Sequence, residues 1–435
     1  MTIIIILNIL LDENKHTEET ENAIAACESS KVKEDGEKSN VVGEEEKLQC
    51  PAKLQGSKTG EMTDHENKSI ASKLYVHSQW LAVQSPYFKA LFYSGMKETY
   101  TNEVVMKIYE DELQAHLTLI GAMYKLDVLN DKDYRLLVQV LVLANKYDVR
   151  LVIKKCKCVL LSTTLTLEMC EYILQEMERL SDKADIYEML EKFLVKEFTP
   201  IDETWTMQKF TELSEAALRL LLRSDNLGSR SENTVFVALM KWVKSNLSFR
   251  VRYICDLLDL VRFEFMTIDF LVDMVQEHTI ARRMPGFNTY LLNGLAYHGY
   301  SQIRREQLEP KPKKRRLVES AGPTFSWVID DQLREKLSKF TEVSVFSNRF
   351  WYQGYAMQLQ LTYAKNLKKC SFYLVIRDLI GKACLYASFK AKSKLFYANT
   401  VQIKKHVFTF SQSSWGKKCI ELNPVSVVNG HTIDV

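Results

Sequence analysis

The sequence predicts an α+β chain in three parts: a mixed strand-and-helix domain, an all-helical domain and a C-terminal antiparallel β domain. Three observations carry this. Apolar content rises abruptly at Ser72, after a long polar and acidic stretch. From there to about residue 280 the apolar residues recur mostly at helical spacing. Beyond a charged, proline-containing segment the period changes to two, the spacing of a half-buried strand.

Residues 1–68 read as a disordered acidic leader, with runs such as EETE and GEEEK and almost no aromatic residue. Its first residues, Met1–Leu11, are rich in Ile and Leu. They are too few for the ~20 apolar residues that span a bilayer, and they lack the basic start of a signal peptide. The first folded domain is placed at 69–163. Within it, residues 72–76 (SKLYV) and Val104–Ile108 read as strands. Trp80–Ala82 and Pro86–Phe92 read as short helices. In Asp111–Tyr124 the spacing puts Leu113, Leu117, Ile120 and Tyr124 on one helical face. The run LLVQVLVLA within Tyr134–Tyr147 is apolar on nearly every side, the pattern of a helix buried in a core.

Residues 164–300 read as helical throughout. Ser229 and Glu232 have capping-box spacing before a run in which Val235, Leu239 and Trp242 share a face. Residues 301–323 (with KPKKRR at Lys311–Arg316) read as a basic, flexible linker. Residues 324–435 read as the β domain. There Met357, Leu359, Leu361 and Tyr363 alternate with polar or small residues, and Phe372, Leu374 and Ile376 do likewise.

Composition bounds the function. Hydrophobic residues make up 46% and aromatic residues 11% of the 435, enough for substantial cores. A net charge of +3 points neither to a general polyanion binder nor to an acidic solvating protein. Nine cysteines, an odd number spread mostly through apolar stretches, read as buried free thiols in a reducing compartment. Phosphate loop, dinucleotide fingerprint, metal motif and nucleophile elbow are all missing from the sequence, so no catalytic residue, cofactor or metal is assigned. His77 has no recognisable nucleophile partner, and Cys156-x-Cys158 on a helix points its thiols to different faces.

The run VHSQWLAVQSPYFKALFYSGMKE, Val76–Glu98, closely resembles the BTB/POZ domain: His77, then Leu81-Ala82, Ser85-Pro86-Tyr87-Phe88 and Met96-Lys97-Glu98. Leu141–Val149 (LVLANKYDV) resembles the same family's buried helix and its Ala-x-Lys-Tyr ending. The following segment resembles a BACK domain, with Phe-x-x-Leu-Ser, a Leu-rich helix, Ser-Asp-x-Leu, Ser-Glu and Trp-Val in order. One departure stands out. The family's first strand opens with Asp-Val about a dozen residues before the histidine, but Asp64 is followed by HENKSIA, which does not read as a strand. That strand is missing or replaced. FSWVID near Phe325 and SVFSNRFWYQGYAMQLQL faintly resemble opening strands of MATH/TRAF-like sandwiches. A kelch-type propeller is disfavoured, because the chain has no Gly-Gly dipeptide and too short a C-terminal segment for several blades.

The resemblance implies a non-enzymatic adaptor of a cullin-3 ubiquitin ligase, in the nucleus and/or cytoplasm. Met96, Lys97 and Glu98 would bind cullin-3, and Trp80 and Leu81 would lie in a homodimer interface. The β domain would hold an unknown client protein, with Trp351, Tyr352 and Tyr355 as its first candidate contacts or, alternatively, as core residues. Lys311, Lys313, Lys314, Arg315 and Arg316 form a candidate nuclear localisation signal or a solvated linker; direct nucleic-acid binding and a membrane partner are not expected. The competing reading is a nuclear BTB scaffold in transcriptional regulation without ligase function.

Overall fold

The computed structural model describes residues 4–11, 70–94, 103–180, 182–318, 325–329, 342–364, 369–379, 384–392, 400–409, 411–421 and 431–434. The chain divides into two compact units, residues 1–164 with 176–183, and residues 165–175 with 184–435.

The first unit holds a three-stranded sheet of order β2-β1-β3, with β1 Ile4–Leu11, β2 Ile70–His77 and β3 Glu103–Ile108. The middle strand is a correction to the sequence reading, which placed these residues in a disordered leader. β1 runs antiparallel to β2, with Leu7 opposite Leu74, and parallel to β3, with Leu7 opposite Val104. An eight-residue run, IIILNILL, is dominated by residues that favour extended backbone, and two partner strands satisfy both of its edges. This strand therefore stands where no strand was legible around Asp64. The acidic stretch that follows it, residues 12–69, lies outside the described residues.

Helices α1 Ser78–Gln84, α2 Pro86–Tyr93, α3 Leu113–Tyr124, α4 Tyr134–Lys146 and α5 Arg150–Ser162 complete the unit. Leu137, Val138, Val140, Leu141, Leu143 and Ala144 of α4 are all buried, as the all-round apolar pattern requires. α3 is a helix as expected, but turned. Its buried side chains are Ala115, His116, Thr118, Leu119, Ile120, Ala122 and Met123, while Tyr124 faces out. Small and polar residues can face a core when they are hydrogen-bonded, so apolar spacing alone chose the wrong stripe.

The second unit contains α6 Leu167–Glu176 (whose last residue belongs to the first unit), α7 Ala184–Phe198, α8 Glu215–Arg223, α9 Glu232–Ser245 and α10 Phe287–Gly299, with shorter turns between them. Ser214 caps α8 by accepting a bond from the Ala217 amide at 3.1 Å. Trp242 is buried and donates its indole N–H to the Leu213 carbonyl at 2.8 Å, under the Arg250 guanidinium. Val235 and Leu239 are buried on the same helix. Two antiparallel sheets follow. One has the order β10-β9-β12-β4, with β4 Ser326–Ile329, β9 Cys384–Lys392, β10 Thr400–Thr409 and β12 His431–Asp434. The other has the order β11-β8-β7-β5, with β5 Glu342–Phe346, β7 Tyr355–Ala364, β8 Lys369–Arg377 and β11 Ser414–Glu421. β6 Phe350–Tyr352 pairs with β7. Leu359, Leu361, Phe372, Leu374 and Ile376 are buried, so the period-two reading finds the core face.

The expected flexible linker is not one over its described residues. Arg315, expected in an exposed basic run, is only 5% accessible and pairs with the equally enclosed Glu232 at 3.2 Å. Its guanidinium also donates to the carbonyls of Ser224 at 2.8 Å and Leu260 at 2.7 Å. The backbone alongside is held too. The Arg316 amide donates to Asp225 O, Arg316 O accepts from the Ser229 amide, and the Val318 amide donates to Ser229 O. Ser229 and Leu317 form a parallel bridge. A cation drawn from a charged segment needs acceptors once it is dehydrated, and here the Glu232 carboxylate and the Ser224 and Leu260 carbonyls supply four. Capping is redistributed as well. Ser231, not Ser229, accepts the Asn233 amide, and Glu232 accepts the Arg262 amide at 3.0 Å.

Candidate partner interface

In the first unit, Ser85 links the two stretches that carry the sequence resemblance. It precedes Pro86 at the start of α2, where a proline's missing N–H is no loss. Its hydroxyl accepts from the Phe88 amide at 3.2 Å and donates to the Tyr147 carbonyl at 2.6 Å. Phe88 and Tyr147 are buried beside each other, their ring centroids 5.7 Å apart. Tyr147 in turn meets a residue that sequence reasoning missed. His116 Nδ1 lies 2.9 Å from the Glu112 carbonyl and can only donate there, so Nε2 accepts from the Tyr147 hydroxyl at 3.0 Å. Burial lowers the His116 pKa and, as its main cause, raises that of Tyr147, so both are neutral at pH 7. The only signal available was a histidine on a helix otherwise read as apolar.

Beside this scaffold lies an open apolar surface. Gln79, Ala82, Val83, Pro86, Lys89 and Tyr93 line one hollow, and His77, Trp80 and Tyr124 line an adjoining one that shares Gln79 and Val83. Val83 is 86% exposed and Trp80 50% exposed, unusual for large apolar side chains placed side by side. Trp80 is nevertheless fixed: its indole N–H donates to the Met123 carbonyl at 2.8 Å, and its ring stacks near that of Tyr124. The Tyr124 hydroxyl accepts the His77 amide at 2.8 Å and sits 3.2 Å from His77 Nδ1, so His77 orders this edge. Leu81, the second dimer candidate, is corrected. It has no accessible surface, because it points into its own core from the opposite side of α1. Met96, Lys97 and Glu98 lie outside the described residues, beyond the end of α2. Cys156 is buried and Cys158 exposed, on different faces of α5.

In the second unit, Trp351, Tyr352 and Tyr355 do not make an exposed cluster. Tyr355 is 5% accessible and meets Phe270 edge-on at 5.4 Å. Trp351 meets the buried Trp205 at 5.0 Å. Tyr352 is half-buried. Between them Gly354 has φ +84°, and a Cβ there would meet the Phe270 ring at 2.8 Å. The Asn233 amide group holds this turn, donating to Gln353 O at 3.1 Å. These aromatics seat the β strands on helices of the same unit, so that the C-terminal strands are not a freely separate domain. In the basic segment, Lys311, Lys313, Lys314 and Arg316 remain exposed, while Arg315 is withdrawn.

Comparison with known proteins agrees with this architecture. The BTB/POZ domain family matches residues 56–164, and the family described as BACK, BTB And C-terminal Kelch, matches residues 170–276. The fold is thus a BTB domain and a helical BACK domain followed by antiparallel strands. Human Kelch-like protein 28 is 30% identical over 227 residues, covering 52% of this chain and 38% of that protein. Kelch-like protein 7 of Rattus norvegicus is 27% identical over 244 residues, covering 56% and 40%. Kelch-like protein 3 of Danio rerio is 25% identical over 307 residues, covering 67% and 48%. The chain spans less than half the length of these relatives. No described helix is long and apolar enough to cross a membrane.

Proposed function

We propose that this chain is a non-catalytic adaptor of a cullin-3 ubiquitin ligase. The observation that carries the reading is the ordered BTB–BACK match, joined to a fixed apolar surface on the BTB unit. Trp80, Val83 and Tyr124 serve the homodimer contact: each is large and exposed, and Trp80 is held in place before any partner arrives. Met96 and Glu98 engage the cullin, reached by the chain just after α2. Two linked copies raise the local concentration of client-binding sites.

The client is held by the C-terminal strands, which form two antiparallel sheets. With Tyr355 and Trp351 packed against helices, the exposed Phe346 and Val328 become the first candidates for the client contact. The test is co-purification of the full chain with cullin-3. Met96→Ala with Glu98→Ala should weaken binding by about 2 kcal/mol or more. Unchanged binding by a folded double variant removes these residues from the interface. Failure of the unmodified chain to bind cullin-3 at all favours the alternative, a nuclear BTB scaffold without ligase function.

A further inference from the structure

Lys311–Arg316 is a basic cluster that the adaptor function leaves unused. Its structure is unlike that of an ordinary solvated linker. The segment is neither helix nor named strand, and its end is tied by backbone bonds from Arg316 and Val318 to Asp225 and Ser229. Lys311, Lys313, Lys314 and Arg316 face solvent, but Arg315 between them is turned inward onto Glu232, Ser224 and Leu260. Further holds act on the backbone: the Arg262 guanidinium donates to Lys313 O at 2.8 Å while also pairing with Asp225 at 2.6 Å. Lys313 Nζ is itself 3.9 Å from Asp225.

A receptor that recognises a short basic peptide does so in an acidic groove that takes consecutive side chains from an extended backbone. The chain supplies the run of basic side chains free of helix, but Arg315 and the backbone at Arg316 and Val318 are already occupied. We infer that residues 311–316 form a masked nuclear import signal, read by an acidic receptor groove only when Arg315 leaves Glu232 and the segment lifts from Asp225 and Ser229. This rests on the reading of KPKKRR as an import signal. The apparent affinity of the receptor for the full chain is then its intrinsic affinity scaled by the fraction of unclasped molecules.

The experiment measures binding of a purified nuclear import receptor to three ligands: a synthetic peptide of residues 308–318, the full chain, and the full chain with Glu232→Gln. The peptide should bind at least about tenfold more tightly than the full chain, and Glu232→Gln should close much of that gap. Lys313→Ala with Lys314→Ala should abolish binding in both settings. Hydrogen exchange at the Arg316 and Val318 amides reports the unclasping independently and should quicken in Glu232→Gln. Gly228→Ala is a second way to loosen the segment, because its Cβ would come within 2.8 Å of Val318 Cγ2 and 2.4 Å of Thr199 Cγ2. Equal binding by peptide and full chain overturns the mask while leaving the signal intact. A peptide that does not bind overturns the import reading itself, and the mask with it. If both variants lose a cooperative melt, the comparison of peptide with unmodified chain decides alone.

Discussion

Replacing Glu232 by Ala tests how the basic segment is fixed to the helices. The Arg315 side chain is 3% and that of Glu232 4% accessible, so the change strands a guanidinium in a dehydrated site. Removing one member of a buried pair costs about 3–5 kcal/mol. Two features act in opposite directions on that range. Arg315 keeps its carbonyl acceptors on Ser224 and Leu260, which limits the loss. The Arg262 amide loses its acceptor, which adds to it by about 1–3 kcal/mol if water does not enter. A destabilisation of about 4 kcal/mol results, equivalent to roughly 10 °C or more in a unit of this size. Arg315→Met in the same chain should recover most of it, because apolar residues of similar volume fill such sites without a desolvated charge. The assay is urea denaturation of the full chain followed by tryptophan fluorescence, run as a double-mutant cycle. If the two single losses simply add in the double variant, the pair is not coupled and the clasp does not hold the segment as described.

Three further outcomes follow from named contacts. Leu81→Ala should cost about 2–5 kcal/mol of stability in denaturant melts, whereas Trp80→Ala should chiefly lower self-association in sedimentation; equal melting and unchanged association in both would remove the distinction. Ending the chain near Arg304 should leave Glu232 without its cation, so a chain ending at Val318 should melt higher and aggregate less; the reverse order contradicts the clasp. His278 is held down to about 4, mainly by burial and then by Lys244, so its stabilising contribution is complete above its ordinary value of 6.5 and is lost as pH falls from there toward 4. Urea midpoints taken between pH 7 and pH 4.5 should therefore fall, and His278→Gln should flatten that slope; an unchanged slope assigns the titration elsewhere.

Local order along the chain was readable from the residues themselves. The helices around Pro86–Tyr93 and Tyr134–Lys146 and the alternating strands Tyr355–Ala364 and Lys369–Arg377 follow from period, capping and turn chemistry within a few residues, and the BTB and BACK segments were legible through their resemblance to those families. The same residues made Trp80 a partner-surface candidate, but neighbouring Leu81 looked equivalent until α1 was seated on its core. What sequence could not supply were pairings between distant residues. Ile4–Leu11 becomes a strand only because β2 and β3 offer it edges on both sides, with paired residues 60 or more positions away. The Ser85–Tyr147 and His116–Tyr147 bonds likewise depend on helices brought together by burial. Arg315 looks like any residue of a solvated basic run until Glu232, 83 positions earlier, is found facing it. Trp351 and Tyr355 could have been partner contacts or core, and Trp205 and Phe270 decide it. Local pattern is set by backbone geometry and side-chain period, which act over a few residues. Whether a charge is hydrated or an aromatic ring covered depends on what the folded chain places opposite it.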